Sequence, residues 1–293
     1  MNRRSGTLFV ITAAALWGTI SIFVTLLTSL GLSSMQISAV RSLSAPLFLI
    51  PYIYIKDKRL LTIAPRDWYY FFGTGIVSLL FFNWCYFNTI KAASVSVAAV
   101  LLYTSPIFVV LMSAALFGEK LTRFKLIALA LTFLGCVLVS GILSQGGSIG
   151  IYALLSGLGS GFGYALYSIF GRYALKKYSP ITVTLWTIIF CGAGSLILSA
   201  AESGFALPAA FFSLKGAFGC LGMGLFCCAL PYLLYTTGLC RVESSKASIY
   251  ATVEPAVAAI IGVTVSKEHL TASALAGMAM IFGSVLLLAK QDK

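Results

Sequence analysis

Ten apolar runs, each about as long as a helix that crosses a bilayer, take up nearly the whole chain. They fall at residues 7–28, 35–55, 68–90, 93–117, 122–143, 149–170, 181–201, 216–239, 247–265 and 271–289. Crossing the hydrocarbon core takes roughly 20 such residues in helical form. Only a helix or a closed barrel satisfies its backbone polar groups there, and runs of this length select the helix. The connections are short, and none could hold a soluble domain. Composition agrees: 10% of the 293 residues are charged, against about 25% in soluble domains. The sequence therefore predicts an all-α membrane protein with ten transmembrane helices.

The first run follows Arg3 and Arg4, as in a signal peptide, but it is long for a signal core and nine more follow. It is read as a retained helix. The net charge of +12 raises the question of nucleic acid, and the distribution answers it. With the N-terminus in the cytoplasm, Arg3, Arg4, Lys56, Lys58, Arg59, Arg66, Lys120, Arg123, Lys125, Arg172, Lys176, Lys177, Arg241, Lys246, Lys290 and Lys293 fall inside. Outside fall Lys91, Lys215 and Lys267, and Arg41 lies within a span. This asymmetry is the positive-inside pattern of a membrane protein, and it puts both termini in the cytoplasm. The seven cysteines lie in or beside apolar runs without metal-ligand spacing and read as small hydrophobes. The lone His269 sits in a polar connection, so no metal site is expected.

The chain echoes itself. An offset of 149 carries Pro106 to Pro255, Glu119 to Glu268, Thr122 to Thr271, Gly73 to Gly222, Tyr86 to Tyr235 and Ser96 to Ser245. Earlier positions echo more weakly at 145, as Gly18 does in Gly163. The predicted organisation is two five-helix repeats, 1–145 and 146–293. Five is odd, so the second repeat enters the membrane from the opposite face. The charges follow: EKLTRFK at 119–125 holds three cations, and its counterpart KEHLTAS at 267–273 holds one. Inverted repeats with broken helices are a mark of secondary transporters. Pro106 and Pro255 each free the carbonyl four residues back, which fits a broken helix or a plain kink.

The run FNTIKAASVSVAAVLLYTSPIFVVLMSAALFGEKLT at 87–122, together with LWGT at 16–19 and Arg41, resembles the EamA repeat of the drug/metabolite transporter superfamily. The resemblance covers nearly the whole chain. The second copy departs from it, with Lys267 for Gly118 and no tryptophan matching Trp17. Resemblance implies ten helices and a central cavity lined by spans one, three, four, six, eight and nine. It implies no single substrate.

Candidate residues follow from depth and chemistry. Glu254 lies about 10 Å into the ninth span, where a carboxylate costs on the order of 3 kcal/mol. It is read as a proton-coupling group or a contact for a cationic substrate group, against a neutral carboxyl that ties helices together. Tyr250 shares its face. Arg41 is read first as a snorkelling interface anchor, and more sharply as an anion site. Trp84, Asn88 and Lys91 form one stripe on span three. Trp17, Tyr103, Tyr164, Tyr167 and Tyr235 lie on spans expected to line the cavity, where aromatic and placed polar groups make an organic-ligand pocket. Glu119 and Glu268 read as structural ties at short turns, with Thr122 and Thr271 as helix caps. The glycines of SGLGSGFGYA at 156–165 read as a packing seam. Pro231 has no counterpart in the first repeat.

No HExxH, GxSxG, paired-aspartate or nucleotide-binding GxxxxGK[ST] motif is present, so neither an enzyme nor a cofactor is expected. The expected partners are a small organic solute, protons and the lipid bilayer. The leading expectation is a secondary transporter of a small organic metabolite (an amino acid or related compound) working by alternating access across the cell membrane. Its rival is a proton-coupled exporter of aromatic cations.

Overall fold

The computed structural model describes residues 3–144, 149–203, 208–266 and 271–290. Its helical segments are numbered α1 (Arg4–Ser29), α2 (Ser34–Lys56), α3 (Pro65–Ala92), α4 (Val95–Phe117), α5 (Arg123–Val139), α6 (Ile151–Ala174), α7 (Pro180–Glu202), α8 (Leu214–Leu239), α9 (Ser244–Val265) and α10 (Ala272–Ala289). Nine of them are long and apolar enough to cross a membrane. The 17-residue α5 is shorter than the rest. Hydroxyl caps open several segments. Thr122 caps α5 and Thr271 caps α10 as expected, Ser33 forms a full capping box on α2, and Ser94 caps α4. Glu268 and His269 lie outside the described residues.

The helices pack in pairs that keep their pattern when the two halves are exchanged. α3 packs on α6, and α8 packs on α1. α4 packs on α6, and α9 packs on α1. α2 meets α7, α4 meets α9, and α5 meets α10. At the last contact Thr132 and Ser284 join hydroxyls at 2.8 Å, and Gly135 faces Gly277 so closely that a Cβ on either would meet the other's carbonyl oxygen within 2.8 Å.

The spans are not regular helices. α4 breaks at Tyr103–Thr104 and α9 at Thr252, with Thr104 Oγ1 and Thr252 Oγ1 donating to the carbonyls of Leu101 and Ile249, each at 2.6 Å. Pro106 and Pro255 thus fall in the first turn of a second half-helix. A proline there gives up an N–H that has no helical partner anyway. The same break accounts for Glu254. It sits in the first turn of its half-helix, where the exposed N–H groups and the helix dipole favour negative charge. α3 and α8 each contain a π-helical stretch, Gly73–Leu80 and Leu225–Ala229, at matching places in the repeat. Such stretches insert a residue into the helical register and turn everything beyond them.

α6 stays continuous, and its glycines form the expected seam, split between two neighbours. A Cβ on Gly157 or Gly161 would run into α4 (Leu101 Cδ1 at 2.2 Å and Thr104 Oγ1 at 2.5 Å, respectively). One on Gly163 would meet Phe81 of α3 at 2.8 Å. The carbonyl of Leu101 lies 2.8 Å from the Gly161 position, and backbone cannot move aside as a side-chain tip can. Gly161→Ala is expected to cost about 1–3 kcal/mol through overpacking. A thermal melt in detergent that matches the parent protein would exclude this tight contact.

Candidate functional site

Residues from both halves of the chain line one cavity of about 410 Å³, within the usual size range for organic ligands. Its wall includes Trp17 from α1, Arg41 from α2, Asn83 from α3, Tyr103 at the α4 break, Tyr164 from α6, Tyr232 from α8 and Glu254 at the α9 break. It extends along Ser21, Val24, Ser34, Ile90 and Val95 toward one end of the bundle. Of the residues picked out from the sequence, Trp17, Arg41, Tyr103, Tyr164 and Glu254 are brought together here.

Arg41 is not an interface anchor. It is 8% exposed, and Nη2 donates to Asn83 Oδ1 at a long 3.5 Å, while Asn83 Nδ2 donates to Ser38 Oγ at 3.1 Å. Ser38 in turn meets Ser195 Oγ of α7 at 3.3 Å. A chain of polar contacts thus fixes the arginine from α2 through α3 to α7. Trp17 packs edge-on against Tyr232, with centroids 5.0 Å apart, and contacts Tyr235 and Tyr164 at 5.6 and 6.3 Å.

The remaining candidates sit elsewhere. Tyr167 and Tyr235 are buried beneath the cavity and tie α6 to α8: Tyr167 OH meets Thr236 Oγ1 at 2.6 Å, and Tyr235 OH meets Ser168 Oγ at 2.7 Å. Tyr250 is fully buried in the core. Trp84 and Asn88 face away, with Lys91, toward a small crevice near Glu202. Trp84 is 43% exposed, and Asn88 donates to the Trp84 carbonyl at 2.8 Å. Trp84→Ala is accordingly expected to change solute binding by less than about twofold, the range of ordinary surface substitutions. A larger loss of binding would return this face of α3 to the site.

Sequence reasoning missed Asn83, Tyr86, Tyr232 and Ser38. Two of these carried a usable signal, because the 149-residue offset takes Asn83 to Tyr232 and both line the cavity.

At the opposite end of the bundle the Glu119 carboxylate closes α4 against α9. Oε1 accepts from Ser244 N at 2.9 Å, Oε2 accepts from Ser245 N at 3.2 Å, and Ser245 Oγ donates to Oε2 as well. Arg172 Nη1 stands 3.4 Å from Oε1, and Lys125 Nζ stands 3.8 Å from Oε2 and 2.7 Å from Glu243. The turn tie expected of Glu119 is therefore a cap on the first amides of α9, made across the two halves.

A helical membrane bundle that encloses a solute-sized cavity between broken helices has the architecture of a membrane transport protein. The chain belongs to the EamA-like transporter family, whose model matches it twice, over residues 4–141 and 151–290. It is 28% identical over 292 residues to an uncharacterized transporter of Archaeoglobus fulgidus, covering 97% of this chain and 96% of that one. It is 24% identical to the uncharacterized inner membrane transporter YicL of Salmonella typhimurium, covering all of this chain and 97% of YicL. A protein of solved crystal structure shares its fold, with a TM-score of 0.84 over 99% of this chain at 18% identity, covering 98% of that protein. The chain is thus a multi-pass membrane protein with transporters as relatives.

Proposed function

We propose that the protein is a secondary transporter of a small organic metabolite, an amino acid or related compound, working by alternating access. In this reading all ten helical segments span the cell membrane, α5 included. The two five-helix halves, 1–145 and 146–293, are inverted, and both termini are cytoplasmic. The exchange symmetry of the helix contacts and the two family matches support the duplication. The one-sided distribution of Lys and Arg supports the orientation.

The observation that carries the function is a cavity between the halves that holds one cation, Arg41, and one carboxylate, Glu254, among aromatic rings. In the orientation above it extends toward the outside, while Glu119 closes the cytoplasmic end. Alternation would release that closure and form another at the outer end. Glu254 is the coupling group, because it is the one carboxylate on the cavity wall among the described residues. An exporter of aromatic cations is less well matched, since Arg41 would repel its substrates.

Purified protein in proteoliposomes should accumulate or exchange a narrow set of metabolites from a panel of amino acids, sugars, nucleotides and cationic dyes. Movement of many unrelated dyes would favour the drug exporter. Failure to bind or move any of the panel would sink the reading.

A further inference from the structure

We propose that Arg41 and the indole N–H of Trp17 form the receptor for a carboxylate on the transported solute, with Asn83 positioning the arginine. The proposal rests on the transporter reading and adds which end of the solute goes where.

Two residues on the wall of this cavity each carry a buried donor without a partner among the described residues. Trp17 Nε1 and Arg41 Nε are buried side-chain atoms without a hydrogen bond among the described residues, and the two residues are 5% and 8% exposed. A buried donor left unsatisfied is costly, and an arginine within a span is costlier still. Neither residue is misplaced by chance. Trp17 is held by three aromatic neighbours, and Arg41 is held through Asn83 and Ser38. Arg41 takes part in no ion pair within 4 Å among the described residues. Its long 3.5 Å bond to the neutral amide oxygen of Asn83 leaves its charge without a counter-ion in contact.

The other charged group on the wall is Glu254, at the start of its half-helix. An acceptor-only group with negative charge answers all three deficits: it accepts from the indole, accepts from the guanidinium and neutralises the cation. A carboxylate suits the planar guanidinium fork best. Glu254 then lies free for an ammonium or a proton. The solute is oriented, acid end toward α1 and α2. Amides and esters of the same solute have no charge to offer Arg41 and give up the strongest of these contacts.

The test compares acid and amide pairs, for example phenylalanine with phenylalaninamide and leucine with leucinamide, within the panel above. Binding is read by thermal shift and by tracer binding on purified protein. Acids are expected to bind at least about tenfold more tightly than their amides, as loss of a charged hydrogen bond would give. Trp17→Phe keeps the ring packing and removes the N–H. It should weaken acids about tenfold and amides less, because an amide carbonyl accepts from the indole without a charge, so the preference for acids narrows. Arg41→Lys keeps a charge without the fork and should also reduce the preference for acids. Bound solutes that show no acid preference, or acid binding untouched by both variants, would overturn the subsite and leave transport standing. A panel in which nothing binds overturns the transporter reading itself.

Discussion

Glu119→Ala lowers the stability of the protein by about 3 kcal/mol, the scale for breaking a buried ionic network by removing one partner. Glu119 is 9% exposed, and Lys125 is 2% exposed beside it. Truncation leaves the amides of Ser244 and Ser245 without their acceptor and takes the Glu119 carboxylate from Arg172, which keeps the Val242 carbonyl at 3.3 Å. Lys125 keeps Glu243 at 2.7 Å, so the effect stops short of abolishing the fold. Glu119→Gln, which retains one acceptor, should lose less. Thermal unfolding in detergent reads the difference, and a midpoint equal to that of the parent protein would remove Glu119 from the closure. If the halves move as proposed, the same variant opens the cytoplasmic end. A cysteine introduced on the cavity wall would then react faster with an impermeant thiol reagent from the inside.

Glu254→Gln loses at least about tenfold in transport driven by a pH gradient, and retains solute counterflow at equal pH to within a few fold. The glutamine fills the same space and keeps an acceptor, but it can neither carry a proton nor hold a charge. The loss of one charged interaction, about 1.5–3 kcal/mol, sets the scale. The two readouts separate the roles. Loss of both activities in a folded variant assigns the carboxylate to a cationic group on the solute instead. Unchanged pH-driven transport would strip it of coupling altogether.

The stretch TVEPAV at 252–257 shows how far sequence reasoning reached. Depth in an apolar run marked Glu254 as a candidate, functional or a tie between helices, and the offset paired Pro255 with Pro106. Why both are tolerated became plain only from the break at Thr252, which makes them ordinary residues of a first helical turn. Arg41 shows the opposite case. Its distance from the membrane surface favoured snorkelling, and only the packing of α2 on α3 and α7 showed its side chain held inward by Asn83.

The sequence alone determined the class of fold, the echo at an offset of 149, the charge asymmetry and the family. Each rests on features that add up along the chain, such as run length, offset and residue type. Which face of each helix meets the cavity was decided by tertiary structure. Within α3 the pairs Trp84–Asn88 and Asn83–Phe87 have the same spacing and comparable chemistry, so periodicity could not choose between them. The π-helical stretch at Gly73–Leu80 sets the rotation of the helix beyond it, and contact with α6 and α7 holds that rotation. A shift of one residue moves the site from tryptophan to asparagine. That choice depends on the neighbouring helices, and no local pattern in α3 contains them.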